Sequence, residues 1–134
     1  MRHRFLLFAF CLSAISFFSF GQKQKFDLKA SIVRGKEVYI AQCMSCHLEQ
    51  GEGIEDVYPP LAKADYLMAD KKRSIDNVIH GVKGEIKVNG KTYNMDMTAF
   101  DLPDQDVSDV LNYIRNSWGN KGSAVTPEEV SAAR

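Results

Sequence analysis

The sequence has few metal-ligating side chains and no excess of charge of either sign. Its 134 residues include three cysteines and three histidines, and its 17 Lys and Arg balance its 17 Asp and Glu. Such a balance provides no basic patch, which argues against a nucleic-acid partner. Internal repeats and low-complexity segments are also missing. We therefore expect one small domain with a modest core of its own.

Two of the three cysteines lie in one short run, Cys43-Met44-Ser45-Cys46-His47. The pattern C-x-x-C-H is typical of covalent attachment of c-type haem. Positions i and i+3 share a face of a helical turn, so both sulfurs can reach the haem edge while His47 faces the iron. We therefore predict one covalent haem c, held by thioether bonds from Cys43 and Cys46, with His47 as the proximal iron ligand.

Two other interpretations of the run are a thioredoxin-like redox pair and half of a zinc site. Zinc requires four ligands, but the only other cysteine and histidines are Cys11, His3 and His80. A redox C-x-x-C is expected near a βαβ pattern, and the sequence shows none. The adjacent histidine has no role in a redox pair, so haem attachment is favoured.

The N-terminus has the pattern of an export signal. Arg2 and Arg4 precede an apolar stretch over residues 5–20, and polar residues begin at Gln22. The stretch is shorter than the roughly 20 residues of a membrane-spanning helix. We predict a cleaved signal peptide over residues 1–21, with an uncleaved membrane anchor as the alternative. Because haem is joined to C-x-x-C-H outside the cytoplasm, we expect a periplasmic or otherwise exported protein.

Apolar periodicity predicts helices over most of the remaining chain. The main helices are expected over residues 27–42, 70–80 and 103–118, with short turns at residues 65–68 and after Thr126. In the third helix the apolar stripe runs from Val107 to Trp118, and Gly119 ends it. Alternating residues around Asn89-Gly90 predict a small β-hairpin, which leads into a polar loop with Met95 and Met97.

The order of these parts resembles class I cytochrome c over residues 31–120. The resemblance rests on four features: a helix with Gly35 and Tyr39 that enters the C-x-x-C-H run, Pro59-Pro60-Leu61, a downstream methionine loop, and a last helix with Val110 and Tyr113. Residues 112–120 also look like the end of cytochrome domains that accompany bacterial respiratory enzymes.

The resemblance implies an all-α cytochrome c fold, with three to five helices around one covalent haem and a small β-hairpin before the methionine loop. The first and last helices would cross near Gly35 and Val110/Tyr113. Residues 22–30 would be a short N-terminal segment, residues 31–120 the haem domain, and residues 121–134 a C-terminal tail.

Ligand assignments also follow from the resemblance. Family members carry Met-Pro-x-Phe at the distal ligand, and residues 97–100 match this pattern except for Thr98, which favours Met97 over Met95. Pro59 matches the family proline whose carbonyl accepts a hydrogen bond from the proximal histidine, with Pro60 as the alternative. Ligation by His80 instead of a methionine is a further alternative.

Histidine and methionine on both sides of the iron would leave no open position for oxygen or peroxide. The resemblance therefore implies a one-electron carrier of a respiratory chain, not an enzyme, whose partners are redox proteins. The alternative is a cytochrome subunit or dedicated donor of an oxidase, nitrite reductase or periplasmic dehydrogenase. A less favoured hypothesis is a five-coordinate haem enzyme or gas sensor. Membrane association would require an uncleaved N-terminal segment.

Overall fold

The computed structural model describes residues 25–134, which form a mostly helical fold with one small sheet. The elements in chain order are α1 (Leu28–Gln42), α2 (Met44–His47), α3 (Asp65–Ala69), α4 (Lys71–His80), β1 (Ile86–Val88), β2 (Lys91–Tyr93), α5 (Asp104–Ile114) and α6 (Pro127–Ser131). The expected all-α cytochrome c fold with a small hairpin is confirmed. The described residues form six helices, one more than the three to five expected, because three segments of four or five residues form short helices beside the three longer ones.

The predicted signal peptide over residues 1–21, together with His3 and Cys11, lies outside the described residues. Among residues 25–134, no helix has both the length and the apolar character needed to cross a membrane.

Helix α1 leads directly into the C-x-x-C-H run. Its N-cap is Asp27, whose carboxylate accepts a hydrogen bond from the Ala30 N–H at 3.0 Å. The helix ends at Cys43, and the single turn of α2 follows directly. Leu48, with φ of +61°, then redirects the chain. The two cysteines and the histidine therefore lie in one short stretch, from the C-cap of α1 through α2, which we call the helical corner (residues 43–47).

Helices α1 and α5 cross in direct backbone contact at Gly35. A Cβ atom on Gly35 would lie 1.8 Å from the Asp109 carbonyl oxygen and 2.9 Å from the Tyr113 Cβ. Only glycine fits there, as the predicted crossing requires. Beside the contact, the buried Asp109 carboxylate accepts two hydrogen bonds from the Arg34 guanidinium, at 2.6 and 2.7 Å. The Ser31 hydroxyl also donates to it.

Helix α5 ends earlier than its apolar stripe predicts. Its last helical residue is Ile114, with Arg115 as C-cap, so the prediction that it continues to Trp118 is wrong. The chain turns instead through Trp118, with φ of +51°. Trp118 packs on Gly51, where a Cβ would lie 2.5 Å from the indole. The indole thus joins the aromatic cluster of Tyr39 and Tyr113 from a turn and not from the helix.

The second long helix and the hairpin agree with the sequence. Asp70 caps α4 by accepting a hydrogen bond from the Arg73 N–H at 3.0 Å, and Gly81 ends it with φ of +77°. Strands β1 and β2 pair antiparallel, with Ile86 opposite Tyr93. Asn89 and Gly90 between the strands both have positive φ, as a two-residue type I′ turn requires.

The C-terminal tail packs into the core. Val125 and Val130 are fully buried, and Asn112 of α5 exchanges two hydrogen bonds of 2.8 Å with the Val125 backbone. Helix α6 begins with the capping box of Thr126 and Glu129. The tail therefore covers one side of α5.

Candidate haem-binding site

A cavity of about 310 Å³ lies between the end of α1, the proximal loop (residues 48–62), α4, the hairpin and α5. Its wall is mostly apolar, and its lining residues come from several segments between Gln42 and Ile114. The main apolar contributors are Pro59, Pro60, Leu61, Leu67, Val78, Val82, Ile86, Val88, Phe100, Leu111 and Ile114. Burial of a large apolar group here would remove that surface from water and stabilise the fold.

Both cysteines and the histidine of the C-x-x-C-H run line this cavity. The turn that brings them together is fixed by the His47 N–H, which donates to the Cys43 carbonyl at 3.0 Å. Burial, followed by the nearby Cys46, raises the pKa of the Cys43 thiol to about 11. Redox-active cysteines have a lowered pKa, so this site is poorly suited to thiol–disulfide exchange.

His47 is oriented by a backbone carbonyl. His47 is only 9 % exposed, and its Nδ1 lies 2.9 Å from the carbonyl oxygen of Pro59. A carbonyl only accepts, so Nδ1 carries the proton and Nε2 keeps its lone pair. Burial lowers the pKa of His47, although the hydrogen bond to Pro59 opposes this effect. The imidazole is therefore neutral at neutral pH, the form in which it binds a metal.

The proximal loop is held tightly around His47. The Gly53 N–H donates to the His47 carbonyl at 3.0 Å. Gly53 has φ of +67°, and a Cβ there would lie 2.4 Å from the Tyr58 carbonyl oxygen and 2.7 Å from that of Pro59. The Gly51 carbonyl accepts from the N–H groups of Leu61 and Ala62, at 2.7 and 2.8 Å. The position of the Pro59 carbonyl is therefore closely determined.

The methionine segment enters the same cavity from the hairpin side. Met95 and Met97 both line the cavity, as do Asp96 and Thr98, so lining the cavity does not distinguish the two methionines. The two methionines are held differently. The Met97 backbone exchanges two hydrogen bonds of 2.9 Å with Val82, whereas Met95 is 53 % exposed to solvent. Gly81 allows this pairing, since a Cβ there would lie 2.4 Å from the Met97 carbonyl oxygen.

His80 is not among the residues that line the cavity. It is exposed at the end of α4, and its Nε2 lies 3.3 Å from the carbonyl oxygen of Ala133 in the tail. The sequence indicated the helix end correctly. It gave no signal for Val82, whose pairing with Met97 is an isolated bridge between segments without regular strand patterns.

The donor set and the wall of the cavity fit haem c. Two thiols and a neutral imidazole stand on one helical corner, a thioether reaches the same space from another segment, and the remaining wall is apolar. Haem c requires two thiols at this spacing and a proximal imidazole, and a methionine is one of the sixth ligands found in cytochromes c.

The family model of cytochrome c matches residues 32–118. Cytochrome c-552 of Thermus thermophilus is 38% identical over 110 residues, which cover 75% of this chain and 83% of that protein.

Cytochrome subunits of two dehydrogenases are also similar to this chain. The cytochrome c subunit of the quinone alcohol dehydrogenase of Gluconobacter oxydans is 34% identical over 101 residues, which cover 74% of this chain and 20% of that subunit. The cytochrome c subunit of gluconate 2-dehydrogenase of Pantoea cypripedii is 35% identical over 106 residues, which cover 75% of this chain and 24% of that subunit. The chain thus spans between a fifth and a quarter of these two subunits. The resemblance inferred from the sequence is confirmed, and the chain belongs to the cytochrome c family, whose cofactor is covalently attached haem c.

Proposed function

We propose that the protein is a one-electron carrier in which Cys43 and Cys46 hold haem c and His47 and Met97 are the axial iron ligands. The observation that carries this proposal is the convergence of these four side chains on one apolar cavity. They come from two segments about 50 residues apart, the helical corner of α1 and α2 and the chain after the hairpin.

Each residue has a definite role in this proposal. Cys43 and Cys46 fix the cofactor by thioether bonds, and His47 presents a neutral imidazole whose Nδ1–H is held by the Pro59 carbonyl. Met97 supplies a thioether that favours the ferrous state. Bound haem supplies a one-electron Fe(III)/Fe(II) couple, and its potential is raised by His/Met ligation. With His47 and Met97 both bound to it, the iron would have no open position for a substrate.

The choice of Met97 rests on its backbone. The backbone of an iron ligand must be fixed so that its side chain stays in place. The Met97 backbone is fixed by two hydrogen bonds with Val82. Among the described residues, the more exposed Met95 makes no backbone pairing of this kind. Phe100 further fixes the segment, because its N–H donates to the Val78 carbonyl at 3.0 Å.

Replacement of Met97 tests the ligand assignment. Met97→Ala is expected to open the sixth position, remove the sulfur-to-iron absorption band of the oxidised protein, lower the reduction potential and allow carbon monoxide to bind. Met95→Ala is the matched control and should change none of these. The free energy of unfolding should fall by no more than about 2 kcal/mol, because Met97 is only half-buried.

The outcome separates the remaining alternatives. If Met95→Ala opens the sixth position of the iron and Met97→Ala does not, the ligand is Met95. If the unaltered reduced protein already binds carbon monoxide, the iron has an open position, and a five-coordinate haem enzyme or gas sensor replaces the carrier.

The similarity to dehydrogenase subunits favours a second candidate, a dedicated electron acceptor of one periplasmic dehydrogenase. It differs from a free carrier only in how long the partner stays bound. Because the similarity covers between a fifth and a quarter of those subunits, it supports the haem domain and not the assembly. Stable co-purification with one dehydrogenase would favour this candidate, and recovery as a free monomer would favour the carrier.

We also propose that residues 1–21 direct export and are then removed. The charged start and the apolar stretch over residues 5–20 support this. The N-terminus of protein recovered from its cell envelope is expected at or near Gln22. Protein that keeps residues 1–21 and stays with the membrane would instead indicate an anchor.

A further inference from the structure

Asn120 links the end of α5 to the proximal loop. Its side chain is only 7 % exposed, and its amide makes three hydrogen bonds. Nδ2 donates to the carbonyls of Leu61 at 2.9 Å and Ile114 at 2.8 Å. Oδ1 accepts from the Lys63 N–H at 2.9 Å. One buried amide thus joins two parts of the chain that no regular element connects.

The turn that carries Asn120 is itself well fixed. The Asn120 N–H donates to the Ser117 carbonyl at 2.8 Å, and the Gly122 N–H donates to the Arg115 carbonyl at the same distance. Trp118 in this turn packs against Gly51 at the start of the proximal loop. The amide is therefore preorganised and does not merely follow the loop.

A short and stiff stretch connects Leu61 to the carbonyl that orients His47. Two prolines, Pro59 and Pro60, precede Leu61, and the ring of each fixes its φ. Between the Pro59 and Leu61 carbonyls the φ of Pro60 is fixed, so fewer rotations can absorb a shift of the Leu61 peptide, and part of it is transmitted to the Pro59 carbonyl. That carbonyl accepts the hydrogen bond from His47 Nδ1 at 2.9 Å.

We propose that Asn120 is a positioning residue for the proximal ligand. By fixing Leu61, it sets the hydrogen bond between Pro59 and His47 and, through it, the basicity of the imidazole and the reduction potential. This inference rests on the proposed function, since it takes His47 as the iron ligand.

The sign of the effect on the reduction potential distinguishes positioning from general loosening. A strong hydrogen bond from Nδ1–H makes the imidazole more basic, which stabilises the ferric state, so its weakening raises the potential. Looser packing that admits water stabilises the more highly charged ferric state and lowers the potential. Positioning by Asn120 therefore predicts a rise when the residue is replaced.

The experiment compares Asn120→Leu with Asn116→Leu in the haem-containing protein. Asn116 lies four residues earlier, and its Nδ2 donates to the Asn112 carbonyl at 3.0 Å without reaching the proximal loop. The measurements are the reduction potential and the hydrogen-exchange rate of His47 Nδ1–H by NMR. In Asn120→Leu we expect a higher potential and exchange at least about 10-fold faster, since lost hydrogen bonds ease local opening. Asn116→Leu should change neither.

An unchanged or lower potential in Asn120→Leu, or exchange no faster than in Asn116→Leu, would overturn the inference. If Asn120→Leu does not fold, Asn120→Ser serves instead, because its smaller side chain leaves room for water to pair the released carbonyls. Because water that enters there lowers the potential, the measurement for Asn120→Ser is the exchange rate of His47 Nδ1–H, which should again exceed that of Asn116→Leu. Exchange that is no faster overturns the inference.

The same spectra separate this inference from the proposed function. In the unaltered ferric protein, a His47 bound to iron has ring protons shifted by the unpaired electron. If that shift is missing, the proposed ligation is wrong. If it is present and Asn120→Leu behaves like Asn116→Leu, only the role of Asn120 is wrong.

Discussion

The two sides of the haem cavity are built in different ways. On the proximal side, His47 is nearly buried, and the proximal loop is folded back by backbone hydrogen bonds at Gly51, Gly53 and Ile54. On the distal side, the chain around Met97 is held mainly by its two-bond bridge to Val82, and Thr98 and Ala99 are exposed.

This difference indicates which side of the cavity can move locally without unfolding. A ligand embedded in many mutually supporting contacts moves only if the loop unfolds, whereas one held by a single bridge can be displaced locally. We therefore expect proximal changes to appear first in stability and distal changes to appear first in ligand binding and reduction potential. Two glycines, one on each side, provide a matched test.

Gly53→Ala on the proximal side should have the largest effect on stability. Its positive φ disfavours alanine, and the added Cβ would meet the carbonyl oxygens of Tyr58 and Pro59 at 2.4 and 2.7 Å. We expect the free energy of unfolding to fall by about 2–5 kcal/mol, because backbone strain and overpacking add. Thermal and denaturant unfolding of the haem-containing protein measure this loss. Carbon monoxide should still fail to bind, and a loss below about 1 kcal/mol would contradict the tight loop.

Gly81→Ala on the distal side should lower the free energy of unfolding less than Gly53→Ala does. It should have the larger effect on the reduction potential and on carbon monoxide binding. Here φ is +77° and ψ is −175°, a region that is nearly restricted to glycine, and the Cβ would lie 2.4 Å from the Met97 carbonyl oxygen. Because the segment is exposed, it can shift away. We expect a loss of about 2–3 kcal/mol, a lower reduction potential and measurable binding of carbon monoxide.

Gly84→Ala is the control for both variants. Gly84 has φ of +79°, but a Cβ there would meet nothing within 4 Å. It should therefore show only the backbone strain, about 1–2 kcal/mol, with an unchanged potential. If Gly81→Ala resembles Gly84→Ala in both measurements, the distal side does not depend on the Val82 bridge.

Local chemistry made much of this molecule predictable from its sequence. The C-x-x-C-H run placed both sulfurs and His47 on one turn, Asp70 and Gly81 bounded α4, and Asn89-Gly90 gave the hairpin. Each of these features depends on residues within one or two turns of each other. The preference for Met97 over Met95 came from the family resemblance and stays a prediction.

Other features depend on partners far away in the chain and left no local signal. The stripe in α5 predicted a helix to Trp118, but Trp118 lies in a turn after the helix and packs on Gly51. Asn120 is one polar residue among many in the sequence, and its partners Lys63 and Leu61 lie 57 and 59 positions away. No periodicity connects residues at such separations.

The contact between α1 and α5 also determines how the chain must close. Arg34 and Asp109, which pair beside Gly35, are separated by 75 positions. Joining the ends of so long a loop costs about 4 kcal/mol of chain entropy beyond a constant. Leu111 and Ile114 of α5 complete the cavity wall, so an apolar cofactor tethered at Cys43 reaches its full burial only after this closure. Haem attached at Cys43, as proposed, would therefore act as a tethered ligand of the folded state, and its burial would offset the entropy lost when the two ends of the domain meet.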